Sequence, residues 1–121
     1  MLKSRERGID AESACCHYLR QQGLKLLTKN YHSRRGEIDL VMQDNDTVVF
    51  VEVRYRKNDA FGGAIESITR SKQQKLHATA EQYLQQETSL SNGRFDVVAM
   101  TKKIQNNQSD GYTIDWIKHA F

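Results

Sequence analysis

Two acids stand where the chain otherwise reads as buried strand. Asp39 lies between Ile38 and Leu40, and Glu52 lies inside the run Val48 to Val53. A lone carboxylate among apolar neighbours costs several kcal/mol unless it is paired, protonated or bound to a metal. Two of them on adjacent strands raise each other's pKa unless a cation lies between them. This pairing points to a divalent-metal site, and the basic residues that follow, Arg54, Arg56 and Lys57, point to an anionic substrate. The blander reading is a buried acid pair satisfied by Arg54 and Arg56 that steadies a sheet.

Phosphodiester hydrolysis is the chemistry such a set would serve. It needs a water activated at neutral pH and compensation of the charge that builds on phosphorus. Hard cations such as Mg²⁺ or Mn²⁺ supply both and prefer carboxylate and carbonyl oxygens. Asp39 and Glu52 are the expected direct ligands, with the backbone carbonyl of Val53 as a third oxygen. Arg54, two residues beyond Glu52 and therefore on the same strand face, is placed to steady the developing charge.

The elements that must position these groups follow from pattern. Arg5 to Gln22 reads as a helix with Ala11, Ala14, Cys15 and Tyr18 at helical spacing and Gly23 as its stop. Glu12 lies at the edge of that stripe, where it serves either the site or an edge ion pair. Leu24 to Thr28 reads as a short strand and Asn30 to Arg35 as a polar, basic loop. Glu37 to Gln43 and Thr47 to Tyr55 form a hairpin about Asp44-Asn45-Asp46. With Asn45-Asp46 as a two-residue turn, cross-strand partners sum to 91, so Asp39 faces Glu52 and Glu37 faces Arg54. A slip of one residue would put the two acids on opposite faces.

Ser71 to Gln86 reads as a second helix, with a capping box at Ser71 and Gln74 and an apolar stripe of Leu76, Ala80 and Tyr83. Lys72 falls on that stripe in the first turn, where it opposes the helix dipole. That placement fits either a ligand-binding cation or a snorkelling lysine. Arg94 to Met100 and Tyr112 to Ile117 read as two more strands, joined by a polar loop ending at Asp110-Gly111. Asp96 reads as a hairpin or helix-cap partner, and the four histidines as surface or edge residues. Gly62-Gly63 is too short for a phosphate-cradling loop. The expected architecture is α+β: a mixed sheet of about five strands flanked by helices, with residues 1–121 as a single domain.

Composition sets the outer bounds. A hydrophobic fraction of 38% and a charged fraction of 27% describe an ordinary soluble protein. A net charge of +3 decides nothing about nucleic acid; the local gathering of Arg34, Arg35, Arg54, Arg56 and Lys57 near the two acids is more telling. Adjacent Cys15 and Cys16 cannot bridge in the ordinary way, which fits a reducing, cytoplasmic setting. The charged stretch Met1 to Arg7 does not read as a secretory signal, and no apolar run is long enough for a membrane span.

Gly36-Glu37-Ile38-Asp39-Leu40, Phe50-Val51-Glu52-Val53-Arg54 with Arg56, and Arg94-Phe95-Asp96-Val97-Val98 resemble the YraN family of small bacterial proteins. Asn30, Phe61-Gly62, Lys72, Tyr83-Leu84 and Ala120-Phe121 match it too, so the likeness spans nearly the whole chain. That family is similar to the restriction-endonuclease-like PD-(D/E)XK superfamily, in particular to archaeal-type Holliday-junction resolvases. The resemblance implies a nuclease-like mixed sheet, a DNA substrate, branched or damaged, and a metal held by Asp39 and Glu52, with a homodimer among its allowed states. Glu12 would be an accessory acid, and Arg34, Arg35, Arg56, Lys57 and Lys72 would face nucleic acid.

The chain departs from the pattern at four places. Arg54 replaces the usual lysine, Ala11 a glycine and His32 an arginine, and Ile38 stands where the superfamily has proline. Arginine stays protonated in proteins, so Arg54 cannot act as a general base, although it can clamp a phosphate with two nitrogens. Two further readings stay open beside the nuclease: a non-catalytic nucleic-acid-binding module built on a degenerate site, and a protein-interaction scaffold.

Overall fold

The computed structural model describes residues 4–56, 63, 65–105 and 108–121, with side chains described over 10–56, 63, 65–102 and 111–121. Helix α1 (Ser4–Gln21) precedes strands β1 (Lys25–His32), β2 (Glu37–Asp44) and β3 (Thr47–Arg56). A short 3-10 turn and helix α2 (Arg70–Gln86) lead to β4 (Asn92–Gln105) and β5 (Gln108–Ile117). The five strands lie in sequence order. Only β3 and β4 run parallel, and α2 provides their crossover. This is the expected α+β arrangement, a mixed sheet with a helix on each face.

Strand alternation divides the core between those faces. Leu40, Met42, Val49, Val51, Val53 and Val98 pack with Ala11, Cys15, Cys16 and Leu19 of α1. Val41, Val48, Phe50, Phe95 and Val97 pack with Leu76, Ala80 and Tyr83 of α2. Because β3 is covered on both sides, it reads as a near-continuous apolar run, and an acid inside it is conspicuous.

Local signals explain the ends of the elements. Gly23, at φ 102°, closes α1 with Leu24 N–H donating to Leu19 O and Gly23 N–H to Arg20 O, both at 3.1 Å. That pair of bonds is a Schellman cap, with Leu24 and Leu19 packed in the same cluster. The β2–β3 turn is the expected two-residue turn, with Asn45 at φ 55°. The register pairs Leu40 with Val51 through Asp44 with Thr47, each summing to 91.

Several expectations are corrected. Strand β1 runs on through Asn30, Tyr31 and His32, so the basic loop shrinks to Ser33–Gly36. Helix α2 begins at Arg70, and its cap is Thr69, whose Oγ1 accepts from Lys72 N–H at 3.1 Å, rather than a box at Ser71 and Gln74. Burial of Ile68 beside Leu76 turns the chain two residues earlier than the pattern implied. Strands β4 and β5 extend well beyond their apolar centres, and Asp110-Gly111 falls inside β5 rather than in a loop. Lys57, Phe61 and Gly62 lie outside the described residues.

Candidate metal centre

The β2–β3 ladder ends at Leu40 and Val51, just short of the two acids. Beyond that point the Asp39 carboxylate takes over a backbone donor. Asp39 Oδ2 accepts the N–H of Val53 at 2.9 Å, and the Asp39 charge bears on the Glu52 carboxylate. The two acids thus lie close to each other at the fork, beyond the last ladder pair. A strand residue presents its N–H and C=O to the same edge, so the Val53 carbonyl faces the fork as well.

A distortion of β2 helps to open this fork. Ile38 belongs to the α2-side cluster and Leu40 to the α1-side cluster, so strict alternation fails at Asp39. Across from it, between the pairs Lys29–Leu40 and Tyr31–Ile38, Asn30 adopts φ 52°. Asparagine tolerates that left-handed conformation better than most residues.

Glu52 is 3% exposed, and its Oε1 has no hydrogen-bond partner. Its Oε2 lies 3.6 Å from Arg54 and 3.6 Å from Lys72 Nζ. Burial pushes its pKa up to about 7, reinforced by Asp39 and opposed by Lys72 and Arg54. Asp39 is raised by burial too, against the Val53 bond and the same two cations. The Arg54 Nε is likewise buried without a partner.

Glu12 reaches the fork from α1. Burial, Asp39 and Glu37 raise its pKa to about 7. With its amide turned to satisfy both neighbours, the Asn30 nitrogen lies 3.2 Å from an oxygen of Glu12 and 3.2 Å from one of Glu37. Pattern reading missed Asn30 and Glu37 as parts of this constellation. Glu37, expected opposite Arg54, lies past the end of the β2–β3 ladder and stands 3.7 Å from His32 Nε2 instead. Among the described residues, no group of three His, Cys, Asp or Glu side chains is close enough to hold a metal by itself. The structure brings the carboxylates of Asp39 and Glu52 together at the fork.

The other predicted residues separate into two groups. Arg34 and Arg35 are exposed on the β1–β2 turn, beside Ser71, Gln74 and Lys75 of α2. Arg56 turns toward the following loop, donating to Gly63 O at 3.3 Å. The four histidines are exposed, as expected.

Asp96 is not a simple cap. Fully buried, it accepts from Arg94 Nε at 3.0 Å, Trp116 Nε1 at 2.9 Å and His119 N at 3.2 Å. Both oxygens are occupied, so it is a structural hub rather than a ligand. No helix among the described residues is long and apolar enough to cross a membrane.

The model of the uncharacterised protein family UPF0102 matches residues 11–100, which include Glu12, both acids, Arg54 and Lys72. A UPF0102 protein of Nitrosococcus oceani is 46% identical over 119 residues, covering 97% of this chain and 92% of its own. One from Pseudomonas aeruginosa is 50% identical over 123 residues, covering 98% and 94%. One from Psychromonas ingrahamii is 46% identical over 118 residues, covering 98% and 91%. These matches run nearly end to end and support the YraN resemblance: the chain belongs to the protein family UPF0102.

Proposed function

We propose that this protein is a divalent-metal-dependent DNA endonuclease acting on branched or damaged DNA, with Mg²⁺ or Mn²⁺ held by Asp39, Glu52 and the Val53 carbonyl. One observation carries the reading: Glu52 Oε1 is buried and has no hydrogen-bond partner. Native proteins rarely leave such an oxygen orphaned. Beside it stands a second carboxylate whose proton affinity is also raised, a donor set that suits a hard cation.

Held by Asp39 and Glu52, such a cation would supply an activated water and offset charge on the phosphate. The protein's own groups do the rest. Arg54 and Lys72, both 3.6 Å from Glu52, flank the acids and can hold phosphate oxygens against them. Arg54 keeps its proton, so it orients and neutralises rather than takes a proton. Glu12, with a pKa near 7, can accept a proton from water at the edge of the site.

Incubation with branched and linear DNA, with and without Mg²⁺ or Mn²⁺, tests the proposal. Metal-dependent cleavage lost in both Asp39→Asn and Glu52→Gln is the expected result. The same two cations also favour a second reading, since they neutralise Glu52 without any metal. In that case the protein binds nucleic acid and does not cut, and binding without cleavage under every metal condition would sink the nuclease.

A further inference from the structure

We propose that the shallow groove between the β1–β2 turn and α2 holds the phosphate backbone of a duplex DNA arm and leads it to Glu52. The inference rests on the nuclease reading and adds the substrate's path to it. The groove is lined by Arg34, Arg35, Ser71, Gln74 and Lys75. Every one of these side chains can donate to a phosphate, and no carboxylate interrupts them.

The turn is held in place against the helix. Ser33 Oγ lies 2.8 Å from Oγ1 of the fully buried Thr79 and accepts from the N–H groups of Arg35 at 3.0 Å and Gly36 at 3.2 Å. A side chain at Gly36 would bring its Cβ to 3.3 Å from the same Thr79 oxygen. Arg34 and Arg35 are therefore presented from a fixed base, which lowers the ordering cost of binding.

The cationic row has a direction. Lys72 is one turn N-terminal to Lys75, about 4.5 Å along the helix axis, and its Nζ lies 3.6 Å from Glu52. Toward the other end of α2 the groove meets Glu81, whose carboxylate is 3.4 Å from the Gln85 amide. A phosphate chain is repelled there and drawn toward Lys72, beside the acid pair. Among the described residues no aromatic ring lines either stretch, whereas single-strand binders stack unpaired bases on such rings. The groove suits the backbone of stacked, paired DNA.

The test uses full-length protein in EDTA, so that cleavage plays no part. Binding is followed by fluorescence anisotropy on a duplex of about 30 base pairs and on one of its single strands across a salt series. Arg34→Ala/Arg35→Ala/Lys75→Ala should weaken duplex binding about tenfold or more and flatten the log–log salt slope by about 2 to 3. Arg20→Ala/Lys25→Ala/Lys102→Ala, whose residues lie away from the groove, serves as the charge-matched control, and thermal melts confirm that both variants fold.

A triple variant that binds like the control, or single strands that outcompete duplex on the wild type, would overturn the groove. Cleavage that depends on Asp39 but survives unchanged in the triple variant refutes the groove and leaves the nuclease standing. Binding lost in the triple variant, with no metal-dependent cutting by the wild type, supports the groove and refutes the nuclease.

Discussion

Asp39 is tied to the strand that carries Glu52 by its own carboxylate: Asp39 Oδ2 takes the N–H of Val53, the residue after Glu52, at 2.9 Å. Two acidic groups share a buried fork, and the sharing has a cost.

That cost gives stability a pH dependence. Glu52 titrates near 4.5 when unfolded and about 7 when folded. A raised acid pKa contributes stability that is complete below the lower value and lost as pH rises through the higher one. Ionising Glu52 therefore costs about 2 to 3 kcal/mol between pH 5 and 8. In EDTA, Glu52→Gln should melt about 5 to 10 °C above wild type at pH 8, with the gap closing near pH 5. Melts across that range check it; a variant less stable than wild type at pH 8 would contradict the argument.

Divalent cations should reverse the ranking. Metal binding displaces the protons on the two acids and stabilises only the folded state. Mn²⁺ should raise the wild-type melting temperature more at pH 8 than at pH 6. It should leave Asp39→Asn and Glu52→Gln unmoved, which differential scanning fluorimetry reads directly.

Arg54→Lys keeps the cation but introduces a group able to release its proton. Metal-dependent cleavage should rise about tenfold or more, within the span that general base catalysis supplies, and the gain should grow from pH 7 to 9. Arg54→Ala should lose activity. Rate constants from gel-resolved cleavage separate these outcomes, and equal rates for arginine and lysine would show that proton transfer at this position is irrelevant.

Asp96 bears on stability alone. Its replacement by Asn leaves Arg94, a nearly buried cation, with Asp44 at 3.0 Å as its remaining acidic partner. Breaking a buried pair from one side is costly, so Asp96→Asn should lose about 2 to 4 kcal/mol in urea denaturation while binding Mn²⁺ at the fork as before.

The sequence carried the site further than its surroundings. Apolar patterning and an Asn-Asp turn were enough to place Asp39 opposite Glu52, because a buried sheet admits one register. The fork itself was hidden. It depends on Asn30 adopting a left-handed φ and on Ile38 leaving strict alternation, and both are tertiary choices that a period-two pattern conceals. Thr69 and Ser71 are equally able to cap a helix, and only the burial of Ile68 decides between them. Asp96 was opaque for a similar reason: its partners Trp116 and His119 arrive from far along the chain.

The Asn45-Asp46 turn has a consequence of its own. Asp39 lies six positions before Asn45, and Glu52 six positions after Asp46, about 20 Å of strand away from the turn. Inserting or deleting one residue there would not weaken the juxtaposition by degrees; it would carry one acid to the opposite side of the sheet. An exposed tip that touches no substrate is therefore as intolerant of a change in length as the carboxylates are of a change in charge.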